Sequence, residues 1–333
     1  MPAVNRYIDQ DKVYSGLNSI VYKARSESSG EIVALKVIDE DLCMKPHNAK
    51  REANLLRRMS HANVLSLIDE YTYGDDRVLV TPFYQFDLSK LLQKNLKKRT
   101  RFNFADPTKN SASYTNMLPP ERADEVFFKI AEALRYLHHD MGIIHRDIKP
   151  SNVFFTSETS DPILGDFGIA YDTRHPPADE PPQTKYTDIS TGVFKAPELC
   201  FGISNYSFAV DIWSLGVLLT ILYSNSGSSC LDDEGSTHDL ILIHSQFANF
   251  GTPSILDSND RKLYWPEVDT PESHFSKFEF KHQSRKPVEQ LIPRCRSAVV
   301  KNLFDSMMVY ESDWRSTARD IVERRSEYMA GQT

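Results

Sequence analysis

The pattern of apolar and polar positions predicts a β-sheet at the start of the chain. Residues 13–24 contain a strand, a turn and a returning strand, and residues 32–38, with the sequence IVALKVI, are rich in β-branched residues. A turn at residues 28–30 separates the two regions. We therefore predict β-strands across residues 5–40.

Helical periodicity follows the predicted strands. In residues 49–59, helix-forming residues combine with apolar positions spaced i, i+3, i+4 and i+7. Residues 121–140 are strongly helical, with one broad apolar face formed by Val126, Phe127, Ile130, Ala133, Leu134 and Leu137. Residues 211–222 predict a mostly apolar helix suited to the middle of a large helical region. A mainly β part is therefore expected to precede a mainly α part.

Two polar segments interrupt these patterns. Residues 93–118 begin with a basic run and continue as a stretch rich in Ser, Asn and Thr. We interpret them as a mobile surface insertion, and we favour a solvated basic loop over a docking or localisation element. Residues 171–190 are rich in Pro, Asp, Glu and Thr, which predicts a flexible segment without a core.

Composition and charge limit the classes of function. The chain has 333 residues, 40% hydrophobic and 26% charged, the balance of a soluble globular protein large enough for two lobes. A formal net charge of -7 gives no reason to expect nucleic-acid binding. No apolar run approaches the length of a membrane span, and the N-terminus lacks a secretory signal. Four cysteines without metal-ligand spacing predict reduced thiols in a cytoplasmic or nuclear protein.

The most informative stretch is residues 145–152, which lie between a predicted helix and a short strand. The eight positions carry an imidazole, a guanidinium, a carboxylate, an ammonium and an amide. A charge-rich polar turn is the simple alternative. The order His145, Arg146 and Asp147, with Asn152 five residues after the aspartate, resembles the catalytic loop of eukaryotic protein kinases.

Further motifs of the protein kinases occur in the expected order. They are a Val-Ala-Leu-Lys segment ending at Lys36, Glu52 on the first predicted helix, Asp-Phe-Gly at residues 166–168, Ala-Pro-Glu at 196–198 and Asp-x-Trp-Ser-x-Gly at 211–216. The resemblance covers nearly the whole chain. It implies an α+β, bilobal protein kinase fold, with a small, mainly β N-lobe carrying one helix (residues 1–83) and a large, mainly α C-lobe (residues 84–333).

The resemblance implies transfer of the γ-phosphoryl group of ATP to a protein hydroxyl. Asp147 is then the residue that orients the attacking hydroxyl and accepts its proton, and Lys149 is the cation at the γ-phosphate. Lysine at that position resembles the serine/threonine-specific branch of the family. Asn152 and Asp166 supply the amide and carboxylate oxygens that suit Mg²⁺.

The same resemblance implies an ATP site. Lys36, held by an ion pair to Glu52, is expected to contact the α- and β-phosphates. Thr81 occupies the gatekeeper position. The carbonyl of Pro82 and the N–H of Tyr84 are expected to bind the edge of the adenine. The other residues expected to line the nucleotide are Tyr14, Gly16, Val21, Ala34 and Phe154.

The glycine-rich loop departs from the family pattern. Glycines are expected at positions 14, 16 and 19, but the chain has Tyr14, Gly16 and Ser19. The departure raises a pseudokinase or scaffold as an alternative, which the intact catalytic and metal-binding residues argue against.

Several motif residues are expected to be structural rather than catalytic. In the family, the histidine at position 145 packs under the phenylalanine of Asp-Phe-Gly, here Phe167. The aspartate at 211 hydrogen-bonds the backbone of the catalytic loop. Arg315 resembles the late arginine of the family, which pairs with the glutamate at 198.

Within the family, the chain resembles the cyclin-dependent kinases. The resemblance lies in the Lys-Arg-Glu sequence that ends at Glu52 and in Asp87-Leu88 after the hinge. It extends to Gly-Thr-Pro at residues 251–253 and Trp-Pro at residues 265–266.

Three departures from the cyclin-dependent kinases bear on regulation. Their inhibitory Thr-Tyr pair in the glycine loop is replaced by Leu17 and Asn18, which have no hydroxyl. The helix before Glu52 lacks the Pro-Ser-Thr-Ala-Ile-Arg run that those kinases present to a cyclin. The position of the activating phosphothreonine holds Tyr186, and Tyr171 replaces an arginine of the phosphate pocket.

These departures predict a monomeric kinase, active without cyclin and without activation-loop phosphorylation. In combining a degenerate glycine-rich loop with a chain similar to the cyclin-dependent kinases, the protein resembles the fungal single-subunit kinases that activate cyclin-dependent kinases. The resemblance implies a cyclin-dependent kinase as substrate, phosphorylated on its activation-loop threonine, with no nucleic-acid or membrane partner. A serine/threonine kinase of the same group with a different protein substrate is the competing hypothesis.

One local question stays open at this point. In relatives, the arginine at position 146 grips an activating phosphate. Arg146 could instead pair with an acidic residue of the 172–190 segment, such as Asp188.

Overall fold

The computed structural model describes residues 6–101, 111–231, 238–256, 259–271, 273–275 and 277–331. Its first part is an antiparallel sheet of five strands in the order β1-β2-β3-β5-β4. The strands are β1 (Tyr7–Ser15), β2 (Ser19–Ser26), β3 (Ile32–Asp39), β4 (Asp69–Tyr73) and β5 (Asp76–Pro82). The strands predicted across residues 5–40 are therefore confirmed from residue 7 onward.

Helix α1 (Ala49–Arg58) connects β3 to β4, as its apolar periodicity predicted. The side chain of Asn48 caps its first turn by accepting a hydrogen bond of 2.8 Å from the N–H of Arg51. The buried face of the helix consists of Ala49, Glu52, Ala53, Leu55 and Leu56. A buried glutamate on an otherwise apolar face requires a partner, because an unpaired buried charge is strongly unfavourable.

The connection to the second part begins where β5 ends at Pro82. Strand β6 (Phe86–Asp87) leads directly into helix α2 (Leu88–Lys94). Asp87 is the N-cap of this helix and accepts a hydrogen bond of 2.8 Å from the N–H of Lys90.

A pair of β-strands occupies part of the loop expected at residues 93–118. Strand β7 (Leu96–Arg101) pairs in antiparallel register with β8 (Ser111–Asn116), and the intervening residues 102–110 lie outside the described part of the chain. Residues 97–100 and 112–115 are exposed on both faces of the ribbon. The loop interpretation was wrong for the paired residues because a ribbon without a buried face has no apolar alternation to reveal it.

Helices form the second part of the structure. Helix α3 (Pro120–Arg135) continues into a π-helical turn, Tyr136–Met141. The other helices are α4 (Pro197–Cys200), α5 (Ala209–Leu222), α6 (Asp239–Phe250), α7 (Val288–Leu291), α8 (Ala298–Met307), α9 (Ala318–Glu323) and α10 (Arg325–Ala330). Every residue of α5 is buried, which explains its nearly continuous apolar sequence. No helix in the described residues is long and apolar enough to cross a membrane.

Four short strands hold the segment between α3 and α4. They are β9 (Ile143–Ile144), β10 (Val153–Phe155), β11 (Ile163–Leu164) and β12 (Tyr171–Asp172). Strand β10 pairs with β11 and β6, and β9 pairs with β12. Residues 145–152 therefore lie between two anchored strands, at the junction of the β and α parts.

Candidate active site

The backbone of the catalytic loop is fixed by the buried carboxylate of Asp211 at the start of α5. Its two oxygens accept hydrogen bonds from the N–H of His145 at 2.7 Å and from the N–H of Arg146 at 2.8 Å. Arg146 has a φ of 71°, a left-handed backbone conformation that residues other than glycine rarely adopt. The Asp211 contacts expected from the sequence are thus present and hold the loop in this conformation.

The carboxylate of Asp147 is oriented from several sides. Its Oδ2 accepts a hydrogen bond of 2.9 Å from Nδ2 of Asn152 and lies 2.8 Å from Nζ of Lys149. Its Oδ1 accepts a hydrogen bond of 2.8 Å from Oγ1 of Thr191. The three predicted residues 147, 149 and 152 are therefore brought together around one carboxylate.

Thr191 belongs to this cluster, and the sequence interpretation missed it. Its hydroxyl donates to Asp147 and accepts a hydrogen bond of 2.8 Å from Nζ of Lys149. It bridges the two predicted catalytic side chains from the position directly after the activation segment, residues 171–190. The position of Thr191, five residues before the Ala-Pro-Glu motif, was the available sequence signal.

Lys36 joins the sheet, α1 and the Asp-Phe-Gly motif. Its Nζ donates to both carboxylate oxygens of Glu52, at 2.7 and 3.0 Å, and to Oδ1 of Asp166 at 2.9 Å. Burial acts to lower the pKa of Lys36, but the carboxylates of Asp166 and Glu52 outweigh it and raise that pKa above its ordinary value. The charge of Lys36 in turn holds the pKa of Asp166 well below its usual range. Both groups are therefore charged at neutral pH.

Asn152 and Asp166 lie near the same end of the β10–β11 pair. The register places Val153 opposite Leu164, and the N–H of Gly165 donates to the carbonyl of Asn152 at 2.9 Å. One carboxylate and one amide oxygen are a donor set that fits Mg²⁺, which takes one or two carboxylates together with phosphate and water oxygens. The described residues contain no cluster of three or more His, Cys, Asp or Glu arranged for a metal. The side-chain oxygens of Asn152 and Asp166 themselves fit Mg²⁺, whose other ligands would be phosphate and water oxygens.

Five of the residues predicted to line the nucleotide lie on one face of the sheet. Directly paired residues share a face, and Val21 is paired with Tyr14 on one side and with Lys36 on the other. Ala34, two residues from Lys36 on the same face, is paired with Thr81. These five residues converge on the side from which Lys36 reaches Asp166.

Two aromatic rings stack next to the residues predicted to bind the adenine. The rings of Tyr84 and Phe154 are stacked, with centroids 5.9 Å apart and planes inclined by 12°. A Cβ atom at Gly165 would lie only 2.6 Å from the Phe154 ring, so glycine allows this ring to pack against the backbone. The carbonyl of Pro82 accepts a hydrogen bond of 3.4 Å from the Thr81 hydroxyl.

The loop at residues 14–19 forms a turn although Tyr14 and Ser19 replace two of the expected glycines. The N–H of Gly16 donates to the carbonyl of Ser19 at 2.8 Å. A Cβ atom at Gly16 would lie 3.2 Å from the ring of Tyr14, so this ring packs over the remaining glycine. The tyrosine itself is 60% exposed.

Two structural contacts expected from the family are also present. The rings of His145 and Phe167 touch with centroids 4.9 Å apart, tilted by 59° rather than stacked in parallel. Nη1 and Nη2 of Arg315 donate to the two carboxylate oxygens of Glu198, at 2.5 and 2.7 Å.

The activation segment is not the coreless segment that its composition predicted. It contains five buried residues, Tyr171, Asp172, Glu180, Lys185 and Ile189. Four of them are polar or titratable, and their burial depends on contacts with distant parts of the chain. Apolar periodicity therefore gave no indication of how this segment is held.

Arg146 pairs with Glu180, and not with Asp188. Nη2 of Arg146 donates to Oε2 of Glu180 at 3.3 Å, and Nη1 contacts Oε1. The same carboxylate accepts a hydrogen bond of 3.0 Å from the N–H of Tyr186. An acidic residue of the 172–190 segment therefore does pair with Arg146. It is Glu180, which lies six residues before Tyr186, the residue at the expected position of the activating phosphothreonine.

Helix α1 is tied along its length to the Asp-Phe-Gly motif and to the activation segment. The N–H of Asn48 donates to the carbonyl of Gly168 at 3.1 Å. Nη1 of Arg51 lies 3.6 Å from Oε2 of Glu180, and Nη1 of Arg58 pairs with Oδ2 of Asp172 at 2.6 Å. These contacts hold in place the helix that carries Glu52.

Comparison with known proteins identifies the family. The protein kinase domain model matches residues 7–326. The chain belongs to the protein kinase family. It is 34% identical over 258 residues to the serine/threonine-protein kinase CAK1 of Saccharomyces cerevisiae, covering 67% of this chain and 69% of that protein. It is 27% identical over 291 residues to the serine/threonine-protein kinase csk1 of Schizosaccharomyces pombe, covering 85% of this chain and 83% of that protein.

The comparisons confirm the fold class and the enzyme class predicted from the motifs. The β-sheet part and the helical part are those of a protein kinase domain. The protein is a serine/threonine protein kinase, an ATP-dependent phosphotransferase.

Proposed function

We propose that this kinase phosphorylates the activation-loop threonine of a cyclin-dependent kinase, acting as a monomeric single subunit without cyclin. The observation that carries the proposal is the attachment of α1 to the chain's own activation segment. In the cyclin-dependent kinases that the sequence resembles, the corresponding helix is presented to a cyclin. Here Asn48, Arg51 and Arg58 connect it internally.

The geometry supports in-line transfer to a hydroxyl. Asp147 orients the substrate hydroxyl and receives its proton, while Asn152, Thr191 and Lys149 fix the direction of its carboxylate. Lys149 also carries the positive charge for the γ-phosphate. Positioning and neutralisation of charge are what this reaction chiefly requires, since its transition state is loose and anionic.

The nucleotide is held by groups that are already in place. Lys36 presents its ammonium for the α- and β-phosphates, with its position set by Glu52. Asp166 and Asn152 would hold Mg²⁺, which when bound supplies charge that neutralises the phosphates. The adenine is bound by the carbonyl of Pro82 and the N–H of Tyr84.

The substrate assignment has a different basis from the chemistry. It is supported by the sequence resemblance to fungal kinases that activate cyclin-dependent kinases, and by similarity to two fungal serine/threonine kinases. Catalytic residues do not choose among protein substrates, because that choice depends on groove shape and docking contacts. A serine/threonine kinase acting on another protein is the second candidate.

Activation of a target kinase tests the proposal. A cyclin-dependent kinase without cyclin is incubated with the pure protein and Mg·ATP, the protein is removed, and cyclin is added before the target's own activity is measured. We expect a large gain in activity, which the Asp147→Asn variant does not produce. Absence of the gain, while a generic serine/threonine peptide is labelled, would favour the second candidate. Full biological activity of Asp147→Asn would favour a scaffold.

A further inference from the structure

A carboxylate and a guanidinium are buried together beside the catalytic loop. The side chains of Glu180 and Arg146 are both 0% exposed. Nη1 and Nη2 of Arg146 pair with Oε1 and Oε2 of Glu180, respectively. Arg51 of α1 approaches the same carboxylate, with Nη1 3.6 Å from Oε2. Removing Glu180 would leave the fully buried guanidinium of Arg146 without its counter-charge, which is strongly unfavourable. The cluster is therefore a fixed part of the folded chain.

Each arginine stands next to a residue of the phosphoryl-transfer site. Arg146 directly precedes Asp147, and Arg51 directly precedes Glu52, the partner of the nucleotide-binding lysine. A displacement of Glu180 would therefore be transmitted to both halves of the site. The carboxylate connects the catalytic loop, α1 and the activation segment through one group.

The pocket around Glu180 has one basic residue replaced relative to related kinases. Besides the two arginines, the N–H of Tyr186 donates to its carboxylate at 3.0 Å. Tyr171, at the position of a third basic residue in related kinases, instead donates its hydroxyl to the backbone carbonyl of Glu180 at 3.1 Å. A phosphate carries about 1.5 to 2 negative charges, whereas a carboxylate carries one. Tyr171 in place of the arginine removes one positive charge from the pocket, in the same direction as the smaller charge of a carboxylate.

We infer that Glu180 is a positioning residue that permanently takes the place of an activating phosphate. The activation segment is then set by folding alone, and neither Tyr186 nor Thr187 has to be phosphorylated for activity. The inference rests on the proposed phosphoryl transfer, but it does not depend on which protein is the substrate.

The test uses the full chain and a generic serine/threonine peptide. The protein is treated with phosphatase, its lack of phosphate is verified by intact mass, and kcat and KM are measured for the wild type, Glu180→Gln and Glu180→Ala. We expect a fully active wild type. We expect a loss of about 10- to 100-fold in both variants, since misplacement of a reacting group by about 1 Å can have that effect. Glu158→Ala, which removes an exposed partner of Lys94, is the matched control and should retain full activity.

Chemical rescue distinguishes positioning from general loss of structure. Millimolar inorganic phosphate or sulfate should restore part of the activity of Glu180→Ala, because the anion can occupy the space between the two arginines. Chloride at the same ionic strength should not. Glu180→Asp, which keeps the charge on a shorter side chain, should retain more activity than Glu180→Gln, and this comparison remains informative if the alanine variant is unstable.

Three results would overturn the inference. The first is a phosphate-free wild type that is inactive and becomes active when residue 186 or 187 is phosphorylated. The second is wild-type activity in folded Glu180→Ala. The third is Glu180→Asp no more active than Glu180→Gln, with no rescue of the alanine variant by either anion. Failure to act on a cyclin-dependent kinase, with the peptide results as expected, would contradict the proposed substrate and leave the inference about Glu180 in place.

Discussion

Arg58 and Asp172 form an ion pair of 2.6 Å that joins the last turn of α1 to the start of the activation segment. Arg51, seven residues earlier and so on the same face of the helix, approaches Glu180. Both ends of α1 are thus attached to one segment, and Glu52 lies between the attachments. The position of the Lys36 partner is therefore determined within the chain.

Arg58→Ala should weaken the kinase by loosening the C-terminal attachment of α1. We expect kcat/KM for ATP to fall about 3- to 10-fold, a modest effect because Arg58 is 40% exposed and exposed pairs contribute little. The neighbouring Arg57 pairs instead with Glu70 of β4. Arg57→Ala is therefore the matched control, and an equal loss in the two variants would contradict the prediction.

Thr191→Val should reduce the chemical step more than nucleotide binding. The change removes the hydroxyl that bridges Asp147 and Lys149 while preserving the shape of the side chain. We expect kcat to fall by about tenfold, as for loss of a hydrogen bond to a charged group, with little change in the KM for ATP. Thr191→Ser keeps the hydroxyl and should retain most of the activity. A change confined to KM would show that Thr191 acts on binding instead.

The catalytic motifs could be predicted because each depends on residues that are close in sequence. His145 to Asn152, and Asp166 two residues after β11, keep their spacing in any chain that builds this loop. Lys36 and Glu52 could be paired only through the resemblance to the protein kinases, because a strand followed by a helix does not indicate which lysine meets which glutamate.

The contacts of the activation segment could not be predicted in this way. Glu180 meets Arg146 across 34 residues and is buried by ion pairing, so no apolar pattern marks it. Counting back from Ala-Pro-Glu placed Tyr186 at the position of the activating phosphothreonine. In the structure, Tyr186 contributes its backbone N–H to the carboxylate of Glu180. The β7–β8 hairpin could not be predicted for a related reason. Its paired residues are polar and exposed on both faces, so the sequence has no apolar alternation there.

Asn116→Ala should destabilise the fold without affecting the chemistry. Asn116 is 2% exposed, and its Nδ2 donates to the carbonyls of Leu222 and Ser224 at 3.0 and 3.1 Å, at the end of α5. Loss of this side chain leaves the buried carbonyl of Leu222 and the partly buried carbonyl of Ser224 without this donor, so we expect a fall of about 1–3 kcal/mol in the free energy of unfolding by urea. Ser113→Ala in the exposed part of the same hairpin is the control. Equal stabilities of the two variants would refute the anchoring of the hairpin by Asn116.

Lys185 should make the folding stability of the protein depend on pH in the alkaline range. Burial lowers the pKa of Lys185 from 10.5 to about 8 in the folded chain. Between these values the unfolded chain binds more protons at this position than the folded chain, so this residue favours folding more as the pH rises. The melting temperature of the wild type relative to Lys185→Met should therefore increase from pH 8 to pH 10. A constant difference across this range would mean that the pKa of Lys185 is not lowered.

The position of the phosphate on a folded cyclin-dependent kinase tests the central claim most directly. The phosphatase-treated protein is incubated with Mg·ATP and a catalytically inactive cyclin-dependent kinase without cyclin, and the product is mapped by mass spectrometry. Our account predicts one phosphate per target molecule, on the activation-loop threonine, and none when that threonine is replaced by alanine. Phosphate at other positions only, or an unmodified target while a generic peptide is labelled in the same tube, would contradict it.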